Sequence, residues 1–149
     1  MRKNFLVIRD IGEIEKELNE AIAGVLTLRL KGGGNYQIAT NFVYLDKNIF
    51  VALNKEDEKF ENIKLNHYGQ FLIYNATITN NSEFNYRVKY ISIIGEFREI
   101  DDQKLIGSVK EKFAEKFLNN NSADYVIPSN LILCILDSKE IQFIIEEGK

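Results

Sequence analysis

The chain has 149 residues, of which 45% are apolar and 28% are charged, values that suit one globular domain over residues 1–149. The net charge of −3 argues against a general nucleic-acid binder, and the single cysteine, Cys134, excludes an internal disulfide bond and a cysteine metal cluster. No apolar run approaches the roughly 20 residues that span a bilayer, so we expect a cytoplasmic protein with no membrane partner.

The first elements are a short strand and a helix. Residues 5–8 are apolar and suit a strand, and Asp10 followed by Glu13 suits a helix N-cap. Apolar residues then recur at helical spacing, which predicts a helix over residues 11–23 with one buried stripe.

Extended patterns and turn signals alternate through the middle of the chain. We predict strands over 25–31, 36–45, 48–53 and 71–78, with turns at the three glycines 32–34 and at 46–48. The second and third of these strands are expected to pair as a hairpin. Asn54 is expected to cap a short helix over 56–65, with Phe60 and Ile63 facing inward.

The last third begins with a long extended run over 84–100, in which Gly95 suggests a bulge. Asp101 or Asp102 then caps a helix whose apolar residues are spaced by four. A strand over 131–136 should bury Cys134, a turn is expected at 138–139, and a final strand over 141–145 closes the sheet.

These elements amount to about six or seven strands and two or three helices, and most of the strands are joined by short turns. Short hairpins build antiparallel sheets, because parallel strands need long crossover connections. The sequence therefore predicts a mainly β protein with helices, in which a closed or nearly closed antiparallel barrel is covered by the helices.

Side-chain chemistry is sparse along the chain. His67 is the only histidine, so a histidine-rich metal site is excluded, and its expected role is to stabilise the end of a helix. The acidic residues 56–58 and Glu61 suit a solvated face. Because no acid–base or nucleophilic constellation is apparent, a cofactor with its own reactivity fits better than catalysis by side chains.

One segment carries a resemblance to a known family. After two hairpinned strands come Lys59, Asn62, Ile63 and Asn66, which match a Lys-x-x-Asn-apolar-x-x-Asn pattern, with His67 where the pattern has proline. Residues 93–97 match an apolar-Gly-x-apolar segment further on. This order resembles the flavin-binding split barrels related to pyridoxamine 5′-phosphate oxidase, over residues 11–145.

The resemblance implies a homodimer that binds FMN at its interface, in an antiparallel split β-barrel. It places the backbone of Gln37, Ile38, Ala39 and Thr40 along the isoalloxazine ring, with Ala52 and Leu53 approaching from the neighbouring strand. Lys59 would hold the phosphate as a point charge, with Asn62 in the same motif.

The chain departs from that family at the phosphate loop, where Asp57 and Glu58 precede the lysine. Two carboxylates repel a phosphate dianion unless they turn away, so Arg29, Lys31 or Lys55 are alternative phosphate ligands. We predict an FMN-binding protein that acts as a flavin-dependent oxidoreductase. The alternative is a non-catalytic module on the same barrel that binds flavin, haem or the deazaflavin F420.

Overall fold

The computed structural model describes residues 3–83, 85–118 and 126–148. These ranges contain two α-helices and one antiparallel sheet of eight strands. The helices are α1 (Ile11–Glu20) and α2 (Gln103–Phe113), and α2 continues as a π-helical segment over Ala114–Leu118. The strands are β1 (Lys3–Ile8), β2 (Ala23–Arg29), β3 (Asn35–Asn41), β4 (Val43–Leu45), β5 (Asn48–Asn54), β6 (His67–Asn80), β7 (Asn85–Glu99) and β8 (Leu131–Gly148).

The sheet forms the predicted split barrel. Its strand order is β3-β2-β6-β7-β8-β5-β4, and β1 pairs with the C-terminal half of β8. The sheet curls so that inward side chains from both ends meet in one apolar core, to which Leu26, Phe71, Phe97 and Val51 contribute from different strands. The barrel is incomplete between β3 and β5, because no hydrogen-bonded ladder joins these two strands in the described part of the chain.

The two helices cover different parts of the barrel. Helix α1 begins at the predicted cap, where Asp10 Oδ1 accepts hydrogen bonds from the N–H groups of Gly12 and Glu13, and it buries Ile14 and Leu18 in the core. Helix α2 begins at Asp102 and packs against the outer side of β4, β5 and the start of β8. Helix α1 ends at Glu20, three residues before the predicted end, because Ala23 already pairs with β3.

The two longest strands pair along most of their length. The predicted irregularity at Gly95 is confirmed, since the register between β7 and β8 shifts between Ile94 and Gly95. The predicted turn at 138–139 is wrong, because β8 runs unbroken from Leu131 to Gly148. One edge of β8 follows β7, while the other edge pairs first with β5 and then with β1. Cys134 is fully buried, as predicted.

Two further predictions need correction. Residues 36–45 do not form one strand paired with 48–53, because the run breaks at Phe42 into β3, which pairs with β2, and β4, which pairs with β5.

Residues 56–65 do not form a helix and contain only a 3₁₀ turn at Phe60–Asn62. The N–H groups of Glu56 and Lys59 are bonded by the side chains of Asn54 and Asp57, which compete with helical bonding.

Candidate functional site

The candidate site lies at the split in the barrel, where β3 faces β5. Strand β3 ends the sheet, so it pairs with β2 on one side and has no strand on its other side in the described residues. Ile38 from β3 and Leu53 from β5 line a small cavity of about 30 Å³ in this gap. The other lining residues are Tyr36, Asn54, Asp57, Phe60 and Ile63. The structure therefore brings the two predicted strand segments together.

The loop between β5 and β6 closes one end of the split and is fixed to β2. The N–H of Lys64 donates to the carbonyl oxygen of Arg29 at 2.8 Å, and the N–H of Lys31 donates to that of Asn62 at 2.7 Å. Ile63 is buried and bridges to Leu30 between these two bonds. These bonds hold the backbone that carries Lys59 next to the turn between β2 and β3.

Tyr36, Asp57 and Lys59 form one polar cluster in this loop. The hydroxyl of Tyr36 donates to Asp57 Oδ2 at 3.0 Å, and the backbone N–H of Lys59 donates to Asp57 Oδ1 at 2.9 Å. Lys59 Nζ lies 5.3 Å from the centroid of the Tyr36 ring, within the range of a cation–π contact. Both carboxylate oxygens of Asp57 are thus occupied by donors of the chain itself.

The electrostatics of the cluster follow from these bonds. The hydrogen bond from the Lys59 N–H, and then the one from Tyr36, lowers the pKa of Asp57 below its ordinary value. Burial, followed by the hydrogen bond to Asp57 and its negative charge, raises the pKa of Tyr36. At neutral pH the cluster therefore holds the Asp57 carboxylate and the neutral Tyr36 phenol, next to the side chain of Lys59.

The predicted strand residues divide between the two faces of β3. Ile38 and Thr40 face inward and are half-buried, whereas Gln37 and Ala39 are exposed on the outer face. Gln37 Nε2 donates to Thr27 Oγ1 at 3.2 Å, and further along the same face Gln70 Nε2 donates to Ser92 Oγ at 3.1 Å. The outer face beside β3 thus carries a row of amides and hydroxyls.

Two predicted site residues lie apart from this cluster. Ala52 is on the opposite face of β5 from Leu53 and packs in the apolar cluster under α2. Asn62 is exposed and contributes its backbone carbonyl to the bond with Lys31. The residue that the Lys-x-x-Asn pattern indicated as a ligand therefore fixes the loop to the rest of the barrel through its backbone.

The gap at the split is too small to enclose a flavin. A cavity of about 30 Å³ has room for about one water molecule and cannot enclose an isoalloxazine ring. The ring would fit only outside the barrel, along the open edge of β3 and the outer face beside it. Bonds to Tyr36 and to the backbone fix the Asp57 carboxylate in the loop, where it stays charged and partly exposed, so the loop fits a phosphate only on the side of Lys59 that faces away from it.

Other chemistry is scarce in the described ranges. They contain no cluster of three or more histidine, cysteine or acidic side chains that could hold a metal ion. His67 begins β6, and its buried Nδ1 has no hydrogen-bond partner in the described residues. None of the helices described here is long and apolar enough to cross a bilayer.

Sequence reasoning missed the part that Tyr36 plays in the site. Its bond to Asp57 joins residues 21 positions apart in the chain, and no local pattern marks such a pair. Alternate residues of β3 face inward, and this period of two places Tyr36 on the same face as Ile38. That alternation is the sequence signal that could have indicated Tyr36 as a site residue.

Comparisons with solved structures find the same fold in several proteins. A candidate 5-nitroimidazole antibiotic resistance protein from Bacteroides thetaiotaomicron has a TM-score of 0.77 and 14% identity, covering 100% of this chain and 93% of that one. An FAD- and haem-binding protein from Mycobacterium smegmatis has a TM-score of 0.71 and 10% identity, covering 95% and 74%. A candidate pyridoxamine 5′-phosphate oxidase from Corynebacterium glutamicum has a TM-score of 0.63 and 11% identity, covering 97% and 95%.

These likenesses show the fold. No protein-family model matches the chain, and a search of curated protein sequences finds no match. The chain has the split-barrel fold of pyridoxamine 5′-phosphate oxidase-like proteins, and its structural neighbours include proteins that bind FAD and haem.

Proposed function

We propose that the protein is a homodimer that binds FMN along β3 and acts as a flavin-dependent oxidoreductase. The observation that carries this proposal is the site at the split, where an open strand edge lies beside a loop that presents the ammonium of Lys59. The likeness to split barrels that bind flavin supports it. Bound flavin supplies hydride or electron transfer, and the chain supplies binding and orientation.

The residues have separate roles in this proposal. Along Gln37, Ile38, Ala39 and Thr40, every second residue directs its backbone N–H and C=O away from β2, toward the edge that has no neighbouring strand in the described part of the chain. Leu53 is buried and lines the small cavity behind β3, so it supports that strand rather than the ligand. Lys59 binds the phosphate as a point charge on its side away from Asp57, and the Asp57 carboxylate holds the loop through Tyr36.

A second candidate function is binding without catalysis. The cluster at the split holds no acid or base free for proton transfer, because Asp57 and Tyr36 are bonded to one another. The Mycobacterium smegmatis neighbour is described as binding both FAD and haem. We therefore propose as the alternative a carrier of flavin, haem or F420 that uses the same surface of the barrel.

Ligand titration tests the cofactor. The purified protein is titrated separately with FMN, riboflavin, haem and F420, and binding is followed by the absorbance or fluorescence of each ligand. We expect FMN to bind more tightly than riboflavin, since riboflavin lacks the phosphate. Tighter binding of haem or F420 would favour the carrier alternative, and failure to bind any flavin would overturn the proposal.

Substitution of Lys59 tests the phosphate site. Lys59→Ala is expected to weaken FMN binding by about tenfold, since a charge-assisted hydrogen bond contributes about 1.5–3 kcal/mol. Riboflavin affinity should not change, because that ligand presents no phosphate. Lys64→Ala is the matched control, since Lys64 is exposed on the same loop and its backbone N–H makes its contact with Arg29. Equal FMN affinity in Lys59→Ala and wild type would reject the assignment.

A further inference from the structure

Strand β6 has a long unpaired edge outside the candidate site. Its residues 69–72 pair with β2, whereas residues 74–79 are exposed and have no strand on that side in the described chain. A crevice of about 340 Å³ separates the end of α1 from β6 at the point where β2 departs, and it leaves the edge open. The other edge of β6 is paired with β7 up to Asn80.

The composition of this edge does not protect it from pairing. Residues 74–78 read Tyr-Asn-Ala-Thr-Ile, with no charge and no proline. Natural edge strands usually carry charged side chains, proline or bulges that prevent association with another strand. A register shift between Ile78 and Asn80 is such an irregularity, and it limits the regular edge to the residues before it. Tyr74 and Ile78 are 65% and 70% exposed, among the most exposed large apolar side chains described.

The same segment is complementary to itself in one antiparallel register. If Ala76 opposes Ala76 of a second copy, Tyr74 opposes Ile78 on the outer face and Asn75 opposes Thr77 on the inner face. Aromatic side chains opposite β-branched ones are favourable cross-strand pairs, and the polar pair can form hydrogen bonds. The small alanine at the two-fold axis avoids a clash, and no like charges meet.

We propose that residues 74–78 are a self-association site, at which two copies of the chain join their sheets edge to edge. The pairing supplies backbone partners for an open edge and covers Tyr74 and Ile78. It uses the far end of β6 and does not depend on flavin binding. A site of this kind would combine with the flavin-dependent dimer to give larger assemblies, which close only if the two two-fold axes intersect.

The pairing of β6 with another edge is less favourable. Among the strands described, β1 is the other open edge of this part of the sheet, and the charged residues Lys3 and Arg9 lie at its two ends. A β6–β1 contact would be heterologous and would continue into open arrays unless its rotation closes. Self-pairing of β6 closes at two copies.

Cross-linking tests the register. Ala76→Cys is oxidised mildly at several protein concentrations and compared with Asn81→Cys, which places a thiol in the exposed turn after β6. The native thiol, Cys134, is buried. We expect a covalent dimer of Ala76→Cys to form at least several-fold faster than that of Asn81→Cys. Equal rates would overturn the proposed register.

A positive charge introduced at the β6 edge tests whether two copies associate through that edge. Ala76→Lys places two ammonium groups opposite one another, and Asn81→Lys adds the same charge away from the edge. Sedimentation velocity over a concentration series should show that Ala76→Lys loses one association step that wild type and Asn81→Lys retain. FMN affinity should be unchanged in both variants, which distinguishes this proposal from the flavin dimer. Unaltered association of Ala76→Lys, or open polymers that it does not affect, would overturn the proposal.

Discussion

Lys116 is a half-buried cation at the end of the helical segment that follows α2. Its Nζ donates to the carbonyl oxygen of Phe42 at 3.1 Å and lies 4.1 Å from the centroid of the Phe42 ring. Burial, and then repulsion by Lys112, lowers the pKa of Lys116 to about 8. Because Phe42 separates β3 from β4, this lysine holds the chain immediately after the strand assigned to the flavin.

The pH dependence of stability should report this lysine. The pKa of this lysine falls from 10.5 in the unfolded chain to about 8 in the folded protein, so between these pH values the folded state binds fewer protons than the unfolded state. The charged lysine therefore destabilises the folded state fully below pH 8, and this destabilisation decreases as the pH rises. The free energy of unfolding of wild type relative to Lys116→Met should therefore rise from pH 7.5 to 10, by on the order of 1 kcal/mol once solvent screening is allowed for.

Denaturant unfolding at several pH values measures this difference. Lys104→Met is the control, since Lys104 is exposed at the start of α2. Burial raises the pKa of Tyr44 and of Cys134 to about 12, and both groups are present in wild type and variant, so their contributions cancel. A difference that does not change with pH would show that Lys116 is not desolvated as the structure indicates.

Elements are predicted well here where their pattern is local. The cap at Asp10 and the apolar stripes of both helices follow from spacing alone, whereas spacing left Asp101 and Asp102 as alternative caps of α2, and the structure shows Asp102. The turn predicted at 138–139 was wrong because Ser138 bonds to Asn48 and its neighbours pair with β7, contacts between distant parts of the chain. The candidate site was predicted only in part for the same reason, since the bond between Tyr36 and Asp57 depends on tertiary structure.

Gly95 illustrates how one position shapes an element. It lies where β7 shifts its register against β8, and a Cβ atom there would come within 2.1 Å of the carbonyl oxygen of Asp137. Because the obstacle is backbone, side-chain rotation cannot relieve the clash.

We expect Gly95→Ala to lower the free energy of unfolding by about 3 kcal/mol, the upper range for overpacking a well-packed site. Gly32→Ala is the matched control, because a Cβ atom at Gly32 has nothing within 4 Å. Thermal or denaturant unfolding of both variants tests the difference. Equal stability of the two variants would mean that β8 can move away from β7 at no cost.

At the scale of the whole molecule, one face of the sheet lacks a cover. The described helices pack against the core and against the outer side of β4, β5 and β8, so the outer face of β3, β2 and β6 faces solvent. Val25, Leu72 and Ile94 lie on that face next to the polar row that starts at Gln37. An uncovered apolar surface beside the proposed flavin site suits an interface between two copies of the chain.

A charged residue in this face tests whether dimerisation and flavin binding depend on one another. Leu72→Arg buries a guanidinium charge in the proposed interface while leaving the core untouched, since Leu72 points away from it. We expect the variant to lose the association on which flavin binding depends and to bind FMN about tenfold or more weakly, because a ligand held by two subunits stabilises their dimer by mass action.

Light scattering and FMN titration, over the same range of protein concentrations, measure both effects. In wild type the apparent FMN affinity should rise with protein concentration, whereas in Leu72→Arg it should stay low until the dimer forms. Asn81→Lys again serves as the charge control, and circular dichroism confirms the fold of each variant. Tight FMN binding by a monomeric Leu72→Arg would place the flavin within one chain and remove the reason for a dimer on this face.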